Sequence, residues 1–157
     1  MLKRFYKIGF LASMIAISGY FAGVNAQSVS GSIGKGTVTR GSAARATVVL
    51  SLPGGLHANS NRPGSEYAIP TTVRASASGA KIGAVSYPRG HNRKFQFSEN
   101  TINVYEGRTA FNFNVTVPAN YRGNSLRVNA TVRYQACTNE VCYPPTSKSV
   151  TLTARVQ

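Results

Sequence analysis

The chain has 157 residues, with 18 basic and 4 acidic side chains, a net charge of +14 and two cysteines. It contains no aspartate; the acids are Glu66, Glu99, Glu106 and Glu140. That set leaves no aspartate for a catalytic triad and no two carboxylates close in sequence for a glycosidase pair, so a hydrolase is not expected. The charge draws the surface toward anionic partners such as nucleic acid, lipid headgroups, lipopolysaccharide or acidic proteins.

Residues 1–26 read as a cleavable signal peptide. Lys3, Arg4 and Lys7 form a basic start, Ile8 to about Ala22 is apolar and uncharged, and Val24-Asn25-Ala26 offers small residues for cleavage before Gln27. The apolar run is shorter than the roughly 20 residues of a spanning helix, and no later segment is apolar enough to cross a membrane. The expected mature chain, Gln27–Gln157, is one domain. Without the three leader charges it carries fifteen bases against four acids, a balance of +11. A domain of this size buries about two-thirds of its unfolded surface and folds without staples. A destination outside the cytoplasm permits disulfides.

The mature sequence reads as all-β. Gln27–Gly36, rich in Gly and Ser, is expected to be a loose arm. Ala44–Leu52 alternates, with Ala46, Val48, Leu50 and Leu52 on one face. Ile69–Ala77 is a second strand, entered through Pro70. Ile82–Tyr87 is a third, stopped by Pro88-Arg89-Gly90. Phe95 and Phe97 flank Gln96 in a short piece, and Thr101–Tyr105 runs to a turn at Glu106-Gly107. Ala110–Val117 sets Phe111, Phe113, Val115 and Val117 against Asn112, Asn114 and Thr116. Leu126–Tyr134 repeats the pattern, and Val150, Leu152 and Ala154 close the chain. Seven to nine short strands in about 130 residues predict an antiparallel β-sandwich, with Phe111, Phe113, Val128 and Val132 in its core.

No metal site and no cofactor are expected. His57 and His91 lack metal-ligand spacing with the cysteines, and they read as surface or loop residues. The bases are scattered singly, with only Arg93 and Lys94 adjacent. A nucleic-acid surface clusters its bases among aromatics, so no specific nucleic-acid partner is expected.

Chemistry is left to Cys137 and Cys142, the two cysteines, separated by Thr138–Val141. As a structural clip the pair is weak: closing so short a loop contributes roughly 2 kcal/mol, against nearly 5 for a loop of about 100 residues. As a redox couple the two thiols stay close after reduction, so one can attack a partner's disulfide and the other can resolve the mixed disulfide. Spacing alone leaves both readings open.

The residues around the pair resemble a family. Tyr134-Gln135-Ala136-Cys137, followed by Cys142-Tyr143-Pro144-Pro145, resembles the active-site segment of the N-terminal periplasmic domain of the thiol:disulfide interchange protein DsbD. Upstream, Gly55-Leu56-His57-Ala58-Asn59, Pro63, Tyr67-Ala68-Ile69-Pro70-Thr71, Val85-Ser86-Tyr87-Pro88 and Val104-Tyr105-Glu106-Gly107 are similar to further segments of that family. The resemblance covers most of Gln27–Gln157.

It implies an immunoglobulin-like sandwich carrying a reversible Cys137–Cys142 disulfide in the periplasm. The domain would exchange electrons with partners and would not act as a stand-alone enzyme. Cys142 would form the mixed disulfide and Cys137 resolve it. A cap aromatic, Phe95 or Phe97, would shield the disulfide, with Tyr134, Glu140, Tyr143 and Pro144 around it. The family's membrane and thioredoxin-like domains are missing from this sequence. A thioredoxin-like or membrane reductase would therefore donate in trans, and periplasmic disulfide-bearing proteins would accept. Where better-known members carry acids beside the cap, this chain has Gly90-His91-Asn92-Arg93-Lys94-Phe95. Cations near the sulfurs would favour thiolate, and Glu140 would oppose them. The competing reading is a non-catalytic immunoglobulin-like binding or accessory protein. Its disulfide would only trim a hairpin, and its basic surface would hold an envelope or acidic partner.

Overall fold

The computed structural model describes residues 27–157. The proposed signal peptide lies outside the described residues. Twelve strands and no helix make up the described chain: β1 (Ser28–Ile33), β2 (Thr37–Val38), β3 (Ala43–Ser51), β4 (His57–Asn59), β5 (Thr72–Ala77), β6 (Lys81–Ile82), β7 (His91–Arg93), β8 (Ile102–Glu106), β9 (Arg108–Thr116), β10 (Ser125–Tyr134), β11 (Ala136–Cys137) and β12 (Thr146–Val156). They form three four-stranded sheets, ordered β1-β3-β9-β6, β2-β12-β10-β5 and β11-β4-β8-β7. Every pairing is antiparallel except that of β12 with β2.

The first two sheets make the sandwich. Successive side chains in a strand point to opposite faces, so the alternation of β3, β9 and β10 sends one complete row inward. Ala46, Val48 and Leu50 of β3, Phe111, Phe113 and Val115 of β9, and Leu126, Val128, Ala130 and Val132 of β10 are all buried in one cluster with Leu152, Ala154 and Val156 of β12. The four core residues expected from the sequence are among them.

The third sheet was not anticipated. Three of its strands have two or three residues, too few to show a period. The sequence of β4 gives no alternation either, because His57, Ala58 and Asn59 are all buried. One face of this sheet joins the sandwich core through Ala58, Tyr105 and Ala136. The other holds a small separate cluster of Phe95, Ile102 and Val104. Gly107, at φ 60°, lets the chain pass from β8 in this sheet to β9 in the sandwich.

Several boundaries moved. Ile69–Ala77 shortens to β5 because Thr71 turns aside, its hydroxyl donating to the Asn59 carbonyl at 2.6 Å. Ile82–Tyr87 keeps one strand residue, Ile82 at the end of β6, and one isolated bridge, Ser86 with Asn112. The Phe95–Phe97 piece is a turn, and the nearby strand is His91–Arg93.

The loose arm is overturned. Residues 28–33 pair with β3 from Ser28↔Ser51 to Ile33↔Ala46, and Ile33 is fully buried. Serines and a glycine hid this strand, since both carry weak β-propensity. The glycine is needed. A Cβ on Gly31 would collide with the Thr47 carbonyl and come within 2.9 Å of a Leu152 methyl. Gly31→Ala should therefore lower stability by about 1–3 kcal/mol, as overpacking does, read as a fall in the urea midpoint at unchanged slope.

Candidate functional site

The connection from β10 to β12 carries both cysteines. Their disulfide is formed, with Cα atoms 4.0 Å apart. Cys137 and Cys142 face each other as an antiparallel bridge. On one side Thr138 N–H donates to the Val141 carbonyl at 2.8 Å, and on the other Tyr143 N–H donates to the Ala136 carbonyl at 2.9 Å. The cysteines thus occupy the narrow site between hydrogen-bonded positions, where antiparallel strands come closest. Thr138 closes the turn. Its hydroxyl oxygen accepts from the N–H groups of Glu140 at 3.2 Å and Val141 at 3.1 Å, and the hydroxyl lies 3.1 Å from the Glu140 carboxylate. These backbone hydrogen bonds act together with the S–S bond to hold the two sulfur-bearing residues opposite each other.

The two ends of the disulfide differ. Cys137, in β11, is fully buried, whereas Cys142 is exposed. Cys142 lines an open cleft of about 410 Å³ with Asn59, Tyr67, Phe97, Ile102 and Gln135. The exposed large hydrophobic side chains among the described residues are Tyr67, Phe97, Val141 and Tyr143. Two line that cleft and two flank Cys142 in sequence.

Phe95 and Phe97 take different places. Phe95 is buried, with its ring stacked 4.2 Å from His57 on one side and 5.1 Å from Phe97 on the other. Phe97 is the outer ring of this stack, 43% exposed, on the wall of the cleft that Cys142 shares. Tyr143 and Pro144 lie at the surface beside Cys142, and Glu140 is at the exposed tip of the turn. Tyr134 is not in this group. It is fully buried in the sandwich core, and its hydroxyl donates to Gln27 Oε1 at 2.7 Å.

Side chains outside the cysteine motif complete the site. Gln135 Nε2 donates to the Tyr143 carbonyl at 3.1 Å, tying the two arms of the hairpin together. Its Oε1 accepts from Asn59 Nδ2 at 3.4 Å, and the same Nδ2 donates to the Ile69 carbonyl at 3.1 Å. Both residues stood in recognisable segments, but nothing in their spacing showed that they meet. His91 and Arg93, which precede Phe95, are engaged. Arg93 pairs with Glu106, lies 5.4 Å over the Phe95 ring, and donates to Asn139 Oδ1 at 3.3 Å; His91 Nε2 is 2.7 Å from Glu106. Burial alone would raise the Glu106 pKa, but hydrogen bonds and charge from His91 and Arg93 hold it below the usual carboxylate range.

His57 overturns the expectation of a surface histidine. It sits in β4 directly opposite Cys137 and is buried, with no hydrogen-bond partner for Nε2. Its burial follows from the Phe95 ring lying over it, a long-range contact that local sequence does not encode. Among the described residues no group of His, Cys and Glu side chains could hold a metal, and no helix is long and apolar enough to cross a membrane.

The family description "Thiol:disulfide interchange protein DsbD, N-terminal" matches residues 35–154. The chain belongs to this family. With the DsbD N-terminal family goes the immunoglobulin-like sandwich, and the formed Cys137–Cys142 pair makes the domain a thiol–disulfide interchange module. Among solved structures, the N-terminal periplasmic domain of ScsB from Proteus mirabilis is similar at 14% identity, over 79% of this chain and 44% of that one, with a TM-score of 0.48. A family 123 glycoside hydrolase from Clostridium perfringens is similar at 11% identity over 82% and 27%, with a TM-score of 0.41. The chain spans less than half the length of either. No curated protein matches.

The site gives the fold a pH dependence. Burial lowers the His57 pKa; Glu106 acts against this, while Arg93 and His91 add to it. An unfolded imidazole titrates near about 6.5. As pH falls below that value the unfolded chain takes up a proton that the folded chain refuses, so stability present at neutral pH is lost. The urea midpoint should fall between about pH 7.5 and 5.5, and His57→Phe should flatten that slope. The Glu106 contribution should persist through this window and disappear only below about pH 4.5, where an unfolded glutamate protonates.

Proposed function

We propose that the protein is a periplasmic thiol–disulfide exchange module that accepts and passes on an electron pair through Cys137 and Cys142. The observation that carries this reading is the unequal exposure of the two cysteines, with the open one ringed by exposed apolar side chains. A dithiol donor, thioredoxin-like or a membrane reductase supplied in trans, attacks Cys142 Sγ through its thiolate. The S–S bond breaks and Cys137 leaves as a thiolate. The donor's second thiolate then attacks the mixed disulfide, releasing Cys142 as a thiolate and leaving the donor oxidised. In the other half-cycle the Cys142 thiolate attacks the disulfide of a periplasmic acceptor, and Cys137 resolves the product. Tyr67, Phe97, Val141 and Tyr143 supply the apolar contact on which such a partner docks.

In this reading the outer ring of the aromatic stack, Phe97, is the cap, and Phe95 is its buried support. Phe97→Ala should speed reduction of the disulfide by a small thiol while changing stability little. Phe95→Ala should cost about 3–5 kcal/mol, as loss of a buried Phe does. Equal reduction rates in wild type and Phe97→Ala would remove the cap from the proposal.

The exchange itself is tested by trapping. Cys137→Ser should hold periplasmic partners as mixed disulfides through Cys142, and Cys142→Ser should hold few. The wild-type pair should equilibrate with a thioredoxin-like donor at a potential above about −300 mV, the level below which structural disulfides lie. A disulfide that stays oxidised against such a donor, with no partner trapped by either variant, would leave it a hairpin staple in an accessory protein.

A further inference from the structure

The charge that sequence showed as scattered is segregated by the fold. Glu66, Glu99, Glu106 and Glu140 all belong to the third sheet, its loops or the disulfide hairpin, and no strand of the sandwich carries a carboxylate side chain. The outer face of the β2-β12-β10-β5 sheet carries Arg74, Arg127, Arg133 and Arg155, all exposed. The remaining outward residues of β5, β10 and β12 are Ser, Thr and Asn. The ion pairs among the described residues are His91 and Arg93 with Glu106, so none of these four arginines has a counter-ion.

Register sorts the four into two doublets. Arg74 lies opposite Thr131, two residues from Arg133 on β10. Arg127 lies opposite Thr153, two residues from Arg155 on β12. Diagonal neighbours of this kind are about 7–8 Å apart, close enough for two guanidinium groups to share one anion. Arg127 and Arg133 are six residues apart on one strand, which places the doublets roughly 20 Å from each other. No carboxylate lies on these strands to pair with the arginines, so ion pairing within the fold gives no reason for them.

We propose that this face binds a phosphate-bearing lipid surface, each arginine doublet taking a headgroup phosphate while the neighbouring hydroxyls and amides donate hydrogen bonds. The chemistry of the face selects among anionic partners. A protein interface has an apolar, charge-depleted centre, and this face has none. Single-stranded nucleic acid is held by aromatic stacking platforms, and no aromatic points outward from these strands. A fully polar face with separated cationic points fits a headgroup layer. The exposed apolar side chains lie around Cys142 instead, so attachment is electrostatic and reversible by salt. Cys142 lies beyond the ends of β10 and β12, off the face, and stays open to partners.

Co-sedimentation of the protein with phosphatidylglycerol–phosphatidylcholine vesicles tests this. Binding is expected at low salt, is abolished by about 0.5 M salt, and is absent with pure phosphatidylcholine. Replacing Arg74, Arg127, Arg133 and Arg155 with Gln should weaken it about fivefold per arginine. A control removing the same charge from elsewhere, Arg45→Gln with Lys81→Gln, Arg108→Gln and Arg122→Gln, should weaken it far less. Since the four-site variant could misfold, each doublet is also replaced alone and its urea midpoint measured; well-folded double variants should each lose about 25-fold. Equal losses in both variant sets would mean net charge and not this face. Failure to bind the anionic vesicles, or preferential retention of a DNA duplex, would overturn the proposal.

Discussion

The ladder between β10 and β12 decides where the sulfurs can be. Its ten pairs run from Ser125↔Arg155 to Tyr134↔Thr146, and residues 135–145 are simply the connection that closes it. A slip of one residue in this ladder would turn Val128, Ala130 and Val132 outward and expose a row of the core. Burial therefore locks the register, and the locked register delivers Gln135 and Pro145 to the base of the hairpin at fixed positions. β11 then extends the hairpin's first arm onto β4, which pins Cys137 against the third sheet and leaves Cys142 on the free arm. The difference between the two cysteines is thus a consequence of which arm has a neighbour.

The site's polar groups follow the same logic of being held from two sides. Asn59 is fixed by the Ile69 carbonyl and Gln135, Gln135 in turn by the Tyr143 carbonyl, and Arg93 by Glu106, Asn139 and the Phe95 ring. The Asn59–Gln135 and Arg93–Asn139 contacts join segments far apart in sequence. His57 is the exception, a buried ring whose Nε2 has no partner. Stacking against Phe95 contributes there, at the expense of an unpaired polar atom.

The parts legible in sequence were those with a period or a motif. β3, β9 and β10 announce themselves by alternation over nine or ten residues, and the cysteine segments stand out by residue type. β1 was illegible because Ser28, Ser30 and Ser32 carry no apolar signal and Gly31 reads as a breaker, although it is there to let the strand approach Thr47. β4, β7 and β11 are too short for any pattern. Tyr134, adjacent to the motif in sequence, lies in the core, because the inward row of β10 continues to its last residue. His57 and Phe95 depend on each other across the fold, so neither could be placed alone.

Gln27, the first of the described residues, is held against the hairpin. Its side chain receives the Tyr134 hydroxyl, and the residue shares a surface hollow with Ala136, Tyr143 and Pro144. A tag fused directly before Gln27 would therefore start from the flank of the hairpin that carries Tyr143 and Pro144. Affinity handles and reporter fusions placed there become steric neighbours of the disulfide hairpin. The same additions at Gln157 leave from the far end of β12.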